Sequence, residues 1–276
     1  MKTKDLYRGR RLSDGYPDLE TKGVAHYTEA QEASRTGETL DCIDRLVDLR
    51  SGLRTGAVIG CGPNPQAVRI LLDRGIDAIG VEPIHGSAAA AAKFLGDESR
   101  VRFGTAEQLP FPNASLRIVL MESVLEHVDS PLLSLGEAYR VLAPGGVLYV
   151  YTTNRYRFSW KGTNQEFRTP FFNWFPATLK EAYVHHHLHF DPRLAYFTPR
   201  PAVHWFTYAE LCRLGRMVGF SQFYSVLDLI DTDAPSIRRK LLRRTFLETV
   251  RARPWLRALA LLQFGESIFM LKRPAS

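Results

Sequence analysis

Short apolar runs alternate with longer helix-compatible stretches through the middle of this chain. In order, the runs and stretches fall at residues 57–59, 66–74, 78–81, 87–95, 101–103, 118–121, 132–142 and 147–151. Continuously apolar strands that alternate with helices form a parallel sheet covered on both faces. The pattern resumes with a helix over 208–218, opened by the capping box Thr207–Glu210, and with strands over 223–230 and 267–272. The chain therefore predicts an α/β fold.

The most informative segment is the glycine turn after the first apolar run, Gly60-Cys61-Gly62-Pro63-Asn64. Glycine permits a positive φ and a close approach of the backbone to a ligand, and asparagine tolerates left-handed backbone. Glu82 ends the second apolar run, where a carboxylate can accept two hydrogen bonds from a ribose diol. The turn and the acid together predict a nucleoside-bearing cofactor. The dinucleotide fingerprint fails, because Pro65 stands where close helix packing needs a small residue.

Three later segments make the prediction of a nucleoside-bearing cofactor more specific. They are Ala106-Glu107-Gln108-Leu109-Pro110-Phe111, Leu125-Glu126-His127-Val128 and Leu142-Ala143-Pro144-Gly145-Gly146. In this order and spacing, the chain resembles the class I S-adenosylmethionine-dependent methyltransferases, specifically their broad small-molecule group. The resemblance is strong over residues 55–153 and weak over residues 207–272. It implies a Rossmann-like, doubly wound, mostly parallel seven-stranded sheet with an antiparallel C-terminal hairpin, and S-adenosyl-L-methionine as the cofactor.

The resemblance also assigns residues to the cofactor. They are Gly60, Gly62, Asn64, Glu82, Ala106, Glu107 and Glu122, and Asn64 stands where the family often has a third glycine. Glu82 is expected at the ribose, Ala106 and Glu107 at the adenine, and Glu122 at the methionine moiety or the acceptor. Two acids common in the family are replaced by Val58 and Thr105. Val58 in place of an acid removes a contact to the methionine end of the cofactor. Thr105 in place of an acid removes a hydrogen-bond acceptor for the adenine amino group, and Glu107 or backbone could supply that acceptor instead.

The regular pattern is preceded by an extension and interrupted by two insertions. Residues 1–50 are predicted to hold an N-terminal extension with a lead-in helix over 28–49, which in the family helps to close the cofactor pocket. Residues 51–276 are predicted to form the methyltransferase domain. Within it, the aromatic-rich residues 155–205 follow the fifth strand and are interpreted as a cap over the acceptor site. Residues 235–264 are interpreted as a basic, leucine-rich excursion of one or two helices, broken at Pro254.

Charge is unevenly distributed in this chain of 276 residues, whose formal net charge is +7. Residues 237–257 contain eight Lys or Arg residues and a single acid, Glu248. Apolar residues beside these cations predict either a solvated face or contact with an anionic membrane surface, while nucleic acid is disfavoured as a partner. No apolar run is long enough to span a membrane. Three cysteines without metal-like spacing indicate a reducing compartment, so we expect a cytoplasmic protein with or without peripheral membrane attachment.

The general base is the part of the site that the sequence specifies least. His127 follows the fourth strand, whose end faces the transferred methyl in the family, and is one catalytic candidate. The other is His189, within the cluster His185, His186, His187, His189 and Asp191 of the predicted cap. Metal ligation by this cluster is an alternative, but contact with the acceptor or a plain surface explains it better, so we assign no metal. Cys61 and His204 are interpreted as packing residues.

The predicted function is O-methylation of a small molecule, a sugar or a lipid-linked glycan by in-line methyl transfer. The acceptor class follows from the aromatic, histidine-rich cap, since aromatic faces stack on sugar rings. The segment Met121-Glu122-Ser123-Val124 lacks the Asp/Asn-Pro-Pro-aromatic pattern of enzymes that methylate base amino groups. Two alternatives stay open: a non-catalytic S-adenosylmethionine-binding protein and a nicotinamide-dependent oxidoreductase. The sequence specifies neither the acceptor atom nor the oligomeric state.

Overall fold

The computed structural model describes residues 29–49, 52–157, 171–176, 178–180, 202–232 and 241–274. Most of the predicted cap lies outside the described residues, and so do His189 and its neighbouring histidines. Residues 235–240 of the basic excursion also lie outside. The prediction for His189 therefore stays a prediction.

The described residues form one seven-stranded sheet in the order β3-β2-β1-β4-β5-β7-β6. Its strands are β1 (Thr55–Ile59), β2 (Asp77–Glu82), β3 (Val101–Phe103), β4 (Leu116–Glu122), β5 (Leu142–Tyr151), β6 (Gln222–Ser225) and β7 (Ser267–Leu271). The first five strands pair in parallel, whereas β7 pairs antiparallel with both β5 and β6. This is the doubly wound, mostly parallel sheet with an antiparallel C-terminal hairpin that the sequence predicts.

Helices cover both faces of the sheet. They are α1 (Glu29–Leu46), α2 (Gln66–Asp73), α3 (His85–Leu95), α4 (Pro131–Val141), α5 (Tyr208–Val218), α6 (Val226–Leu229), α7 (Leu241–Ala252) and α8 (Pro254–Phe264). Leu40 and Ile43 of α1 pack with Leu71 of α2 on one face. Leu135 of α4 and Leu211 of α5 pack on the other. Each face therefore has its own apolar core, as a sheet buried on both sides requires.

Local signals set several helix boundaries where the sequence predicts them. Ser130 caps α4, since its side chain accepts a hydrogen bond from the Leu133 amide, and Pro131 occupies the first helical turn. The capping box of Thr207 and Glu210 opens α5, which ends at left-handed Gly219. Capping of this kind satisfies amides that have no partner within the helix.

The predicted strand over 223–230 is wrong in its second half. Strand β6 ends at Ser225, and residues 226–229 form the short helix α6. The Ser225 amide and hydroxyl both donate to Asp228 Oδ2, at 2.7 Å each. This capping box turns the chain, so the apolar residues that follow belong to a helix although their composition suits a strand.

Candidate functional site

The order of the sheet reverses at β1, which lies between β2 and β4. In open α/β sheets, ligands bind beyond the carboxyl ends of the strands at such a reversal. A cleft of about 170 Å³ lies at this point. Its walls come from α1, β1, the glycine turn, α2 and β4, and are formed by Arg35, Thr36, Val58, Ile59, Gly60, Cys61, Asn64, Gln66, Ala67, Leu120 and Glu122.

The glycine turn forms the floor of the cleft with bare backbone. Gly60 and Gly62 have φ values of +64° and +66°, which L-residues with side chains rarely adopt. A Cβ at Gly60 would lie 2.7 Å from Val124 Cγ2, so this glycine is required for packing. A Cβ at Gly62 would meet nothing within 4 Å. Gly62 therefore borders open space, into which a ligand can come close to the main chain.

Glu82 supports the glycine turn from the end of β2. Its side chain is buried, Oε2 accepts a hydrogen bond from the Gly62 amide at 3.0 Å, and Oε1 accepts one from the Ile84 amide at 3.2 Å. Burial raises the pKa of this carboxyl to about 6, although both backbone hydrogen bonds act in the opposite direction. Each carboxylate oxygen can accept a second hydrogen bond, so capacity is left for a ribose hydroxyl.

Cys61 of the same turn packs as a small apolar residue, as predicted. Its sulfur would lie 2.6 Å from a Cβ at Gly80 of β2, so the two positions are matched in size. Burial and the nearby Glu82 raise the pKa of the Cys61 thiol to about 12. A thiol that stays protonated at neutral pH is a poor nucleophile.

Arg35 and Glu122 form an ion pair at the other end of the cleft. Arg35 Nη2 on α1 lies 3.3 Å from Glu122 Oε2 at the end of β4. The Arg35 guanidinium also lies over the Tyr151 ring, 4.9 Å from its centroid. Val58, where the family often has an acid, lines the same cleft. Opposite charges are therefore present near the position of the missing acid.

Arg35 was missed because the prediction for α1 used only its apolar positions. The buried stripe of Leu40 and Ile43 extends towards the N-terminus through Thr36, which is also buried. Thr36 and its neighbour Arg35 are therefore the polar continuation of the face that packs on the sheet. Polar residues at the end of a buried stripe are the signal that could have identified them.

Ala106 and Glu107, predicted at the adenine, lie outside the lining of this cleft. Ala106 is buried in the apolar core. Glu107 Oε1 accepts hydrogen bonds from the amides of Asp129 at 2.8 Å and Ser130 at 3.4 Å. Its Oε2 is buried and has no hydrogen-bond partner in the described part of the chain. Glu107 thus joins the loop after β3 to the start of α4 and retains one oxygen for a further donor.

His127 is half-buried in the loop after β4 and also lies outside the cleft lining. Its amide donates to the Val124 carbonyl at 2.9 Å. Ser123 in the same loop has a φ of +55°, a conformation uncommon for a residue with a side chain. Strained backbone of this kind concentrates at functional sites, which is consistent with a role for this loop next to the cofactor.

Glu126, beside His127, was also missed by sequence reasoning. It is fully buried, and Thr152 Oγ1 donates to Glu126 Oε2 at 2.6 Å. Burial raises the pKa of its carboxyl to about 7. The Glu126 carbonyl accepts from the amides of Val203 and His204, which attaches the end of the predicted cap to this loop. The signal in the sequence that could have identified Glu126 is a carboxylate placed between the apolar residues Leu125 and Val128.

The described part of the predicted cap contains a buried cation. Lys180 is 4% exposed, and its ammonium lies over the Trp205 ring, 4.9 Å from the centroid. Burial lowers the pKa of this lysine to about 8, and the nearby Arg155 acts in the same direction. His204 Nε2 lies 2.9 Å from the Val128 carbonyl, and its ring centroid lies 6.1 Å from that of Phe206, which agrees with its interpretation as a packing residue.

Neither a metal-ligand cluster nor a membrane-spanning helix occurs among the described residues. No group of three or more His, Cys, Asp or Glu side chains converges as a metal site within those ranges. None of the helices in the same ranges combines the length and apolar character needed to cross a bilayer.

The cleft fits a sulfonium nucleoside that carries an amino acid tail. Gly60, Cys61 and Asn64 of the glycine turn line it. Gly62 and Glu82 lie outside that lining, but Gly62 of the same turn borders open space and its amide holds Glu82, whose carboxylate can accept from a diol. The paired charges of Arg35 and Glu122 match the carboxylate and ammonium of the tail.

Comparison with known proteins finds similarity at the centre of the chain. The family model described as "Methyltransferase domain" matches residues 57–150. The ubiquinone biosynthesis O-methyltransferase of Azorhizobium caulinodans is 36% identical over 101 residues, which cover 35% of this chain and 39% of that protein. The norajmaline N-methyltransferase of Rauvolfia serpentina is 28% identical over 148 residues, which cover 51% and 50%. The chain thus spans about half or less of these relatives.

A solved structure is similar over most of the chain. The S-adenosylmethionine-dependent methyltransferase from Archaeoglobus fulgidus is 16% identical, with a TM-score of 0.49. The alignment covers 89% of this chain and 95% of that one.

Proposed function

We propose that this protein, whose residues 57–150 match the family described as "Methyltransferase domain", is a class I S-adenosylmethionine-dependent methyltransferase that transfers a methyl group from that cofactor to an oxygen atom of a small molecule. The observation that carries the proposal is the cleft beyond β1 and β4, which is lined by the glycine turn and by the Arg35–Glu122 pair. Glu82 is hydrogen-bonded to the same turn through the Gly62 amide. S-adenosylmethionine supplies an electrophilic methyl group with a neutral thioether as leaving group.

In this proposal, the residues of the chain bind and orient. Gly60, Gly62 and Asn64 present backbone to the cofactor, and Glu82 accepts hydrogen bonds from its ribose. Arg35 pairs with the carboxylate of the methionine moiety, and Glu122 accepts from its ammonium. Ala106 and Glu107 are assigned to the adenine, with Glu107 Oε2 as the acceptor for an amino group. Correct alignment of reactants can lower a barrier by several kcal/mol.

A hydroxyl acceptor must lose a proton during the transfer. We assign its removal to an imidazole nitrogen of His127 or His189, the two bases that the sequence indicates. His127 follows β4 next to the strained Ser123, close in sequence to Glu122 of the cleft. A His127→Gln variant should lose turnover while it keeps cofactor affinity.

Oxygen is favoured over nitrogen by two observations. Relatives from several bacteria carry the name ubiquinone biosynthesis O-methyltransferase. The segment after β4 lacks the proline pair typical of enzymes that methylate base amino groups. The second candidate is N-methylation of a small molecule, which the likeness to norajmaline N-methyltransferase favours.

The test is a labelled-methyl transfer screen over fractionated small-molecule and lipid extracts. Product fragmentation by mass spectrometry then identifies the methylated atom. The proposal expects labelled methyl ethers, with none formed by the Gly62→Ala variant. Label on nitrogen alone would favour the second candidate. Cofactor binding without transfer to any fraction would favour a non-catalytic binding protein.

A further inference from the structure

The solvent-facing side of α8 is apolar. Trp255, Leu259 and Leu262 are 60%, 55% and 44% exposed, and Ala258 between them is also exposed. Their spacing of three and four residues puts all four on one side of the helix. We call these four residues the α8 stripe. A helix on the surface of a globular protein normally turns its apolar side inward and its charged side to water.

Helices α7 and α8 pack together as a helical hairpin, and two of its arginines attach it to α6. Arg257 Nη2 contacts Asp228 Oδ2 at 2.7 Å, and Arg251 Nε donates to the Leu227 carbonyl at 2.7 Å. Leu247 and Val250 of α7 pack with Leu261 of α8 in a small core of their own. The hairpin is thus fixed to α6 through its arginines, and the α8 stripe is left facing outward.

The sequence around the α8 stripe is strongly basic. Residues 237–257 contain eight Lys or Arg residues, and among those that the structure describes, Arg244, Arg251 and Arg257 contact groups within the protein. Exposed Arg253 directly precedes α8. Arg238, Arg239, Lys240 and Arg243 precede or begin α7 in the sequence, against the single acid Glu248, which pairs with Arg244.

We propose that the α8 stripe and its flanking cations dock the protein on an anionic lipid bilayer. Apolar residues with an exposed tryptophan suit the boundary between headgroups and acyl chains, and neighbouring arginines suit anionic headgroups. A second copy of the chain fits less well, because it would bring two basic surfaces together. Exposed Phe246 of α7 adds to the apolar surface of the hairpin.

Docking by this surface has a consequence for the acceptor. Asn154 Nδ2, just beyond β5, donates to the Leu262 carbonyl at 3.0 Å. Helix α8 therefore adjoins the carboxyl edge of the sheet, where the proposed function puts the acceptor. An amphipathic acceptor could enter from the bilayer; this step alone rests on the proposed function, whereas docking does not.

The test is co-sedimentation with vesicles of phosphatidylcholine alone or mixed in equal parts with phosphatidylglycerol. The wild-type protein should bind the anionic vesicles, more weakly at high salt. The combined variant Trp255→Ser, Leu259→Ser, Leu262→Ser should bind at least about tenfold less, because it removes most of the buried apolar area. The matched control Leu133→Ser, Met217→Ser removes exposed apolar side chains from α4 and α5 and should bind as the wild type does.

Titration with S-adenosylhomocysteine checks the fold of each variant and separates the two proposals. If the cofactor product binds but wild-type protein ignores anionic vesicles, docking is overturned and the proposed function stands. Equal vesicle binding by the stripe variant would also overturn docking. So would sedimentation velocity that shows a dimer lost only in the stripe variant, since a second copy would then cover the stripe.

Discussion

Arg35 of α1 and Glu122 at the end of β4 are 87 positions apart in sequence, yet Arg35 Nη2 lies 3.3 Å from Glu122 Oε2. The pair joins a helix outside the family match to strand β4, which lies within the matched residues 57–150. It also borders the cleft at the place where Val58 replaces an acid. We regard the pair as the recognition element for the amino acid end of the cofactor.

Arg35→Met and Glu122→Gln should each weaken S-adenosylhomocysteine binding about tenfold, since hydrogen bonds to charged groups contribute roughly 1.5–3 kcal/mol. The double variant should lose less than the sum, because the two residues are coupled. Calorimetry measures all three affinities. Arg45→Met is the control on the same helix, since Arg45 contacts the Leu229 carbonyl and Asp231 away from the cleft. Full affinity in both single variants would exclude this role.

Glu82→Gln should weaken cofactor binding by about tenfold or more, because a neutral amide replaces a carboxylate acceptor. Wild-type affinity should also fall as pH decreases through about 6, where Glu82 takes up a proton. The variant should lack that part of the pH profile. Asp77→Asn, at the opposite end of β2, should bind normally. If Glu82→Gln and wild type share both affinity and pH profile, Glu82 does not hold the ribose.

Gly62→Ala should abolish cofactor binding while the protein stays folded. An alanine at position 62 costs about 1–2 kcal/mol because the backbone there is left-handed. Its Cβ would nevertheless meet no protein atom within 4 Å, so the fold should persist. Gly52→Ala is the matched control, since Gly52 has a φ of +74° with nothing within 4 Å and precedes β1 at the other edge of the sheet. Urea unfolding should show similar losses in the free energy of unfolding for both variants. Calorimetry should show that only Gly62→Ala has lost cofactor binding. Normal binding by Gly62→Ala would contradict the predicted backbone contact.

Glu126→Gln should remove a pH dependence of stability. The folded state raises the pKa of Glu126 from 4.5 to about 7, so the folded protein holds this proton more tightly than the unfolded chain. Its contribution to the free energy of unfolding is complete below pH 4.5 and is lost as pH rises through about 7, a change of about 3 kcal/mol.

Urea unfolding at about pH 5 and about pH 8 measures this difference. Wild type should lose more stability than Glu126→Gln between the two values, because the glutamine oxygen can still accept the Thr152 hydrogen bond. Glu82→Gln is the comparison, since its pKa is raised less. A variant with the same pH dependence as wild type would show that Glu126 is not buried in this way.

The fold was largely predictable because apolar runs, glycine turns and helix caps act over short distances. Gly60, Ser130 and the Thr207–Glu210 pair each specify the backbone at or near their own position. The prediction fails at Ser225, where a side-chain contact with Asp228 converts an apolar strand pattern into a helix turn. Composition cannot report such a contact.

The candidate site was predictable only where its residues come from elements that are adjacent in the chain. The glycine turn and Glu82 come from adjacent elements and lie together as expected. Arg35 reaches the cleft from a distant helix, and its role depends on how α1 packs. The exposed stripe of α8 also depends on tertiary packing, because the sequence alone does not say which side of an apolar helix is covered.

Calorimetric titration of the purified protein with S-adenosylhomocysteine tests the central claim most directly. The account predicts saturable one-to-one binding in the wild type, unchanged in Gly52→Ala and absent in Gly62→Ala. No heat and no thermal stabilisation in folded wild-type protein at saturating ligand would contradict the assignment of this cleft to S-adenosylmethionine.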